Sequence, residues 1–81
     1  MDKTMIWNQV VATIRETFDT DAAITSNTVA SDVDGWDSLS HMVLTLQMEQ
    51  IFKITFPTQR AFRLKNVGEL YALVCELVKT Q

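Results

Sequence analysis

The sequence predicts an all-α domain, a small up-down bundle of three main helices plus a short helix, with one long crossing loop. Three observations carry this. Apolar residues recur at helical spacing in three separate stretches. No alternating apolar run bounded by hairpin signals is present. The 81 residues suffice for one domain, taken as 1–81, whose modest core buries roughly 60–65% of the unfolded surface.

The first helix is expected over residues 4–18. Ile6, Val10, Ile14 and Phe18 recur every four residues, and Trp7 and Val11 widen the stripe. Asn8, Gln9, Thr13, Arg15 and Glu16 supply the polar side. Residues 19–36 lose the period and are rich in Thr, Asp, Ser and Asn. So long a connection in a small domain is expected to contain a short helical turn. Ile24, Val29 and Val33 are expected to pin it to the helices.

The second helix should start at Asp37 or Ser38 and run to about Phe52, with Asp37 capping an unpaired backbone N–H. Leu39, Met42, Val43, Leu46, Ile51 and Phe52 give it a broad apolar face. Leu46 reads as core, and Met42 as either core or interface. Phe56-Pro57-Thr58 marks a break, after which Thr58 can cap a short helical piece reaching Phe62 or Arg63. Asn66 and Glu69 have the spacing of a reciprocal cap for the last helix. Val67, Leu70, Val74 and Leu77 then repeat, joined by Tyr71 and Val78.

Net charge is −3, unevenly divided. Asp2, Glu16, Asp19, Asp21, Asp32, Asp34 and Asp37 against Lys3 and Arg15 give the first half −5. Glu49, Glu69 and Glu76 against Lys53, Arg60, Arg63, Lys65 and Lys79 give the second half +2. An acidic half disfavours nucleic acid, whose phosphates need a basic surface. The cluster Arg60, Arg63 and Lys65 suits either solvent or an acidic partner. Cys75 is the only cysteine, so no internal disulfide forms, which fits a reducing compartment. With no signal segment and no stretch of membrane-spanning length, the expected location is cytoplasmic.

The segment Gly35-Trp36-Asp37-Ser38-Leu39 concentrates the functional signal. It places a serine at the head of a helix, where free N–H groups and a partial positive potential favour an anion such as a phosphodiester. Gly35 permits an unusual backbone path. Trp36 either covers the loop or stays open to a partner. On position alone Ser38 reads as an ordinary first-turn residue.

The wider pattern resembles the acyl carrier and peptidyl carrier protein family. In that family an Asp-Ser-Leu triplet heads the second helix, matched here by Asp37, Ser38 and Leu39. Glu49 and Phe52 resemble the end of its "LEEEF" pattern, and Ile54, Phe56 and Pro57 its "I-x-I-P". Ala61, Leu64, Val67 and Gly68 resemble the remaining markers. The resemblance implies an acyl-carrier-like bundle with 4′-phosphopantetheine esterified to Ser38, flanked by Asp37 and Leu39. His41 is then a surface residue near the arm, able to touch its phosphate or a partner. The arm's thiol would hold acyl, ketoacyl or aminoacyl cargo as a thioester. The implied partners are a phosphopantetheinyl transferase, an acyl- or aminoacyl-loading enzyme, and ketosynthase, condensation or tailoring enzymes.

The sequence departs from housekeeping fatty-acid carriers in one respect. Their second helix is crowded with carboxylates, whereas this one keeps only Glu49. A partner surface of Trp36, Leu39, Met42, Val43, Arg60 and Arg63 is therefore expected, with less electrostatic steering. That favours polyketide or nonribosomal peptide biosynthesis over bulk fatty-acid synthesis. A whole carrier domain within 81 residues is expected to be a free-standing carrier, not a slice of a synthase. The rival class is an unmodified helical interaction domain.

Catalysis by the chain alone is not expected. Ser38 and His41 share one side of a helix, but no orienting acid or oxyanion site accompanies them. His41 lacks companion metal ligands. Asp32, Asp34 and Asp37 lack the later glycine and glutamate of a calcium loop, so no metal is expected.

Overall fold

The computed structural model describes residues 2–79. Four α-helices follow in order: α1 (Lys3–Phe18), α2 (Ser38–Phe52), α3 (Thr58–Ala61) and α4 (Val67–Lys79). A 3₁₀ turn at Ala30–Asp32 is the helical turn expected inside the long loop. Helices and turns account for all regular structure among the described residues. The fold is thus the small all-α bundle that the periodicity predicts.

Each boundary has a local cause. The Asp2 carboxylate accepts the Met5 N–H at 2.8 Å and so caps α1, a signal the sequence reading did not use. At the other end Asp19 turns left-handed at φ 48°. Thr20 N–H bonds to Arg15 O and Asp19 N–H to Glu16 O, the paired bonds of a Schellman ending formed without glycine. Lys53 closes α2 in the same left-handed conformation at φ 56°. Pro57, not Thr58, is the residue before α3: Thr58 is already helical, and no side chain caps this helix. The expected reciprocal cap of α4 is displaced by one residue. Asn66 Oδ1 accepts the Glu69 N–H at 2.8 Å, but the Glu69 carboxylate reaches back to Lys65 N–H at 3.3 Å.

The core joins Ile6, Val10, Val11 and Ile14 of α1 to Leu44, Met48 and Phe52 of α2 and Val67, Leu70, Leu73 and Val74 of α4. α1 packs against both α2 and α4. Ile24 and Val33 pin the long loop as expected, while Val29 is half-buried. That loop also completes α4: Val67 N–H donates to Thr28 O and Gly68 N–H to Ser26 O, both at 2.8 Å. Two donors that a helix start leaves unpaired are thereby satisfied by the loop backbone.

Two readings of helix faces are corrected. Thr13 belongs to the core, 1% exposed, because its hydroxyl donates to Gln9 O at 2.7 Å and leaves only its methyl to pack. On α2 the apolar face read from sequence points outward except for Phe52, which is buried as expected. Leu39, Met42, Val43, Leu46 and Ile51 are exposed, while Leu44, Thr45, Met48 and Phe52 face the core. The helix is apolar around most of its circumference, so spacing alone did not select the inner side.

Candidate functional site

The backbone before α2 is shaped by Gly35. Its φ of +86° lies where side-chain-bearing residues are strained, and a Cβ there would meet no atom within 4 Å. Conformation, not space, is what requires glycine. The chain then enters α2 through Asp37, whose carboxylate accepts the Ser40 N–H at 2.8 Å. The hydrogen bond from the Ser40 N–H, the largest influence on it, holds the Asp37 carboxyl below its ordinary value, favouring its charged, capping form.

Ser38 and Ser40 lie close together but have different surroundings. The Ser40 hydroxyl donates to Gly35 O at 2.7 Å, so both its polar groups are used to hold the turn. Ser38 is the first residue of α2, it is exposed, and its hydroxyl has no hydrogen-bond partner among the described residues. A hydroxyl so placed is open to an incoming group, and the helix start behind it favours negative charge.

Next to Ser38 a chain of rings links three elements. Phe18 of α1 stacks on Trp36 with centroids 5.0 Å apart and planes 23° apart. Trp36 Nε1 donates to His41 Nδ1 at 3.1 Å. An indole N–H can only donate, so Nδ1 accepts and Nε2 carries the ring proton. That proton is directed at Ala61 O, 2.6 Å away at the end of α3. Phe62 then meets the His41 ring edge-on at 5.5 Å. His41 was expected as a surface residue near the arm. It is instead a half-buried strut between the loop and α3, and neither ring nitrogen is left over for a phosphate. Trp36 likewise covers the loop against α1 and α2 and is half-buried.

The other expected surface residues separate into two places. Leu39 (71% exposed), Met42 (46%), Val43 (43%) and Leu46 (52%) form one apolar ridge running away from Ser38. Glu49, the one carboxylate of α2, accepts the Phe56 N–H at 2.8 Å and is half-buried. Arg60 and Arg63 instead line a groove with Glu69 and Glu76 of α4, apart from Ser38. Arg60 pairs with Glu76 at 2.6 Å, and their bond raises the pKa of Arg60 and lowers that of Glu76. Both are exposed, so solvent screens the pair.

Sequence reasoning missed the groove beside Ser38, a space of about 260 Å³ walled by Ala30, Trp36, Asp37, His41, Phe62 and Leu64. Its walls come from four parts of the chain, so no local pattern announces it. Ser40 was also missed: its place three residues after a capping aspartate signals the use of its N–H, but nothing local signals its hydroxyl bond to Gly35 O. Among the described residues, no group of three or more His, Cys, Asp or Glu is placed to hold a metal ion. The carboxylates of Asp32 and Asp37 are used on the backbone N–H groups of Val29 and Ser40. Among the described residues, no helix is long and apolar enough to cross a membrane.

Comparison with known proteins adds the family. Residues 8–74 match the family model described as "phosphopantetheine attachment site". The holo acyl carrier protein of Geobacter metallireducens superimposes with a TM-score of 0.84 at 38% identity, over 93% of this chain and 87% of that one. A protein assigned as an acyl carrier protein from Mycobacterium tuberculosis gives 0.82 at 34%, over 88% and 96%. The hexanoyl carrier protein of the actinorhodin polyketide synthase from Streptomyces coelicolor gives 0.68 at 24%, over 93% and 87%, a likeness of fold. No curated protein matches the sequence significantly.

Proposed function

Because this chain belongs to the acyl carrier protein family, whose members bear a phosphopantetheine attachment site, we propose that Ser38 is its attachment residue and that it carries acyl or aminoacyl intermediates for partner enzymes. The observation that carries this reading is the Ser38 hydroxyl, exposed and without a partner at the head of α2 inside the matched segment. The fit to the cofactor is chemical. A phosphodiester on Ser38 Oγ would lie at a helix start that favours its charge, with open groove beside it. When attached, the arm supplies a thiol that holds the cargo as a thioester.

The chain's own residues do three things in this account. Asp37, Ser40 and Gly35 fix the turn so that Ser38 faces outward. The strut of Trp36, His41 and Ala61 O braces the turn against α3. Leu39, Met42, Val43 and Leu46 present an apolar ridge to whichever enzyme docks. Carriage, not catalysis, is the role consistent with the family. The site supports it, since the nearby imidazole is occupied at both nitrogens and is no base for Ser38. Tethering then raises the cargo's effective concentration at each partner.

The same ridge supports the finer reading, service in polyketide or nonribosomal peptide biosynthesis in preference to housekeeping fatty-acid synthesis. A helix whose only carboxylate is engaged with Phe56 N–H offers little to a basic docking surface. The modifying partner is a phosphopantetheinyl transferase. Ketosynthase, condensation and tailoring enzymes are the classes that would read the ridge.

The test is incubation of the apo-protein with coenzyme A and a broad-specificity phosphopantetheinyl transferase, followed by intact and peptide mass spectrometry. One added arm on the peptide containing Ser38 is the expected result. A folded protein that stays unmodified, while a control carrier in the same tube is loaded, would favour the unmodified interaction domain once the host transferase has also failed.

A further inference from the structure

We propose that His41 is a positioning residue for loading: its neutral ring, with the proton on Nε2, clasps the turn that presents Ser38, and protonating the ring opens that clasp and slows transfer of the arm. This rests on Ser38 being the attachment residue. Trp36 lies just before Ser38 in the chain and His41 just after it. The 3.1 Å bond from Trp36 Nε1 to His41 Nδ1 therefore closes a loop of chain around the serine. The backbone N–H of His41 donates to Asp37 O at 2.8 Å within the same loop. Through Nε2 the ring anchors the clasp on Ala61 O at the end of α3.

Hydrogen-bond chemistry makes the clasp depend on charge. An indole nitrogen donates and does not accept, and an imidazolium has two donors and no acceptor. A protonated His41 would set Nδ1–H against the Trp36 N–H, while its bond to Ala61 O survives. The half of the strut that is lost is the half that holds the turn. Around the ring, Phe18 of α1 and Phe62 after α3 contribute uncharged aromatic edges and faces. Asp37 and Lys65 are the charged residues that line the two cavities His41 shares. The Asp37 carboxylate is held charged by Ser40 N–H and keeps its state across the histidine range. Lys65 has donors alone.

The step that this would slow is well defined. Transfer forms a bond from Ser38 Oγ to the phosphorus of coenzyme A that bears the arm. It breaks the pyrophosphate link, releases adenosine 3′,5′-bisphosphate and gives the serine proton to the transferase or to solvent. Such a displacement needs Oγ held in line with the phosphorus, so a slack turn costs rate.

The test is the pH profile of loading by one transferase with coenzyme A, from about pH 8 to about pH 5, the range in which histidine ordinarily titrates. Wild type is compared with His41→Gln and Trp36→Phe in the same buffers, so that the enzyme's own pH dependence cancels in the ratios. Circular dichroism establishes folding. Gln can accept from Trp36 and donate to Ala61 O without titrating. The ratio of His41→Gln to wild type in kcat/KM should be level at the alkaline end and rise about threefold to tenfold toward the acid end, the equivalent of one such bond. Trp36→Phe lacks the donor at every pH. It should be slower than wild type at the alkaline end and draw level with it at the acid end.

Ring ¹⁵N spectra supply a readout independent of the variants. His41 is the only histidine, so its signals are identified at once. At the alkaline end they should show the Nε2–H tautomer, and the Trp36 Nε1–H signal should move toward the free indole position in step with His41 protonation. Level ratios across the range for both folded variants, or an Nδ1–H tautomer, would overturn this inference and leave the attachment at Ser38 standing. A folded wild type that is not loaded at any pH would overturn the attachment reading and this inference with it.

Discussion

Gly68 and Ser26 meet backbone to backbone: the Gly68 N–H donates to Ser26 O at 2.8 Å, and a Cβ on residue 68 would stand 2.8 Å from that same oxygen. The contact closes the long loop onto the start of α4, the end of the bundle where Asn66 and Leu64 also lie near the strut. A loop so fixed at one end holds the Gly35 turn at the other.

Gly68→Ala should therefore destabilise the protein, although alanine is the better helix former. Forcing apart a backbone contact costs roughly 1–3 kcal/mol, against about 1 kcal/mol of helix propensity recovered. A net loss of about 1 kcal/mol is expected in urea unfolding. Hydrogen exchange at the amides of Val67 and Gly68 should accelerate more than exchange in α1.

Lys53 ends α2 in a left-handed conformation. An L-residue there costs roughly 1–2 kcal/mol, a cost that glycine avoids while losing some chain entropy. Lys53→Gly should raise stability by about 0.5–1 kcal/mol by the same arithmetic. Chemical denaturation would show it as a higher midpoint at unchanged slope.

The strut predicts coupling. His41→Ala leaves Trp36 Nε1 and Ala61 O without their partner, at a cost of about 1–3 kcal/mol. Trp36→Phe removes one of the same bonds. The double variant should lose less than the sum of the singles, because they share a partner. Strictly additive losses would mean that the two rings do not act together.

Asp37 links the turn to acidity. Its folded pKa is lowered, chiefly by the Ser40 N–H. Its contribution is present above the unfolded aspartate value, near about 3.9, and is lost as pH falls through the lower folded value. Asp37→Asn should keep the cap but flatten that part of the acid limb of a stability–pH curve. Asp37→Ala should lose the cap at neutral pH as well.

Much of the fold was legible because its signals are local. Asp37 announced the start of α2, Asn66 that of α4, and the spacing of Ile6, Val10 and Ile14 fixed the buried side of α1. The inner face of α2 was not legible. Leu39, Met42, Val43 and Leu46 are as apolar as Leu44 and Met48, and only the packing of the other elements decides which set is buried. Ser38, the proposed attachment residue, was singled out by the Asp-Ser-Leu pattern. Its groove and the strut were not, since Ala30, Trp36, His41 and Phe62 meet only through the tertiary fold. Gly68 was noticed as a marker, but its reason is a carbonyl more than forty residues earlier in the chain.

The most direct measurement of the central claim is transferase loading of wild type, Ser38→Ala and Ser40→Ala side by side, with circular dichroism to establish folding and intact mass as the readout. The account predicts one arm on wild type and on any Ser40→Ala that remains folded, and none on a folded Ser38→Ala. A folded Ser38→Ala that still gains the arm would contradict it and place the attachment at another residue.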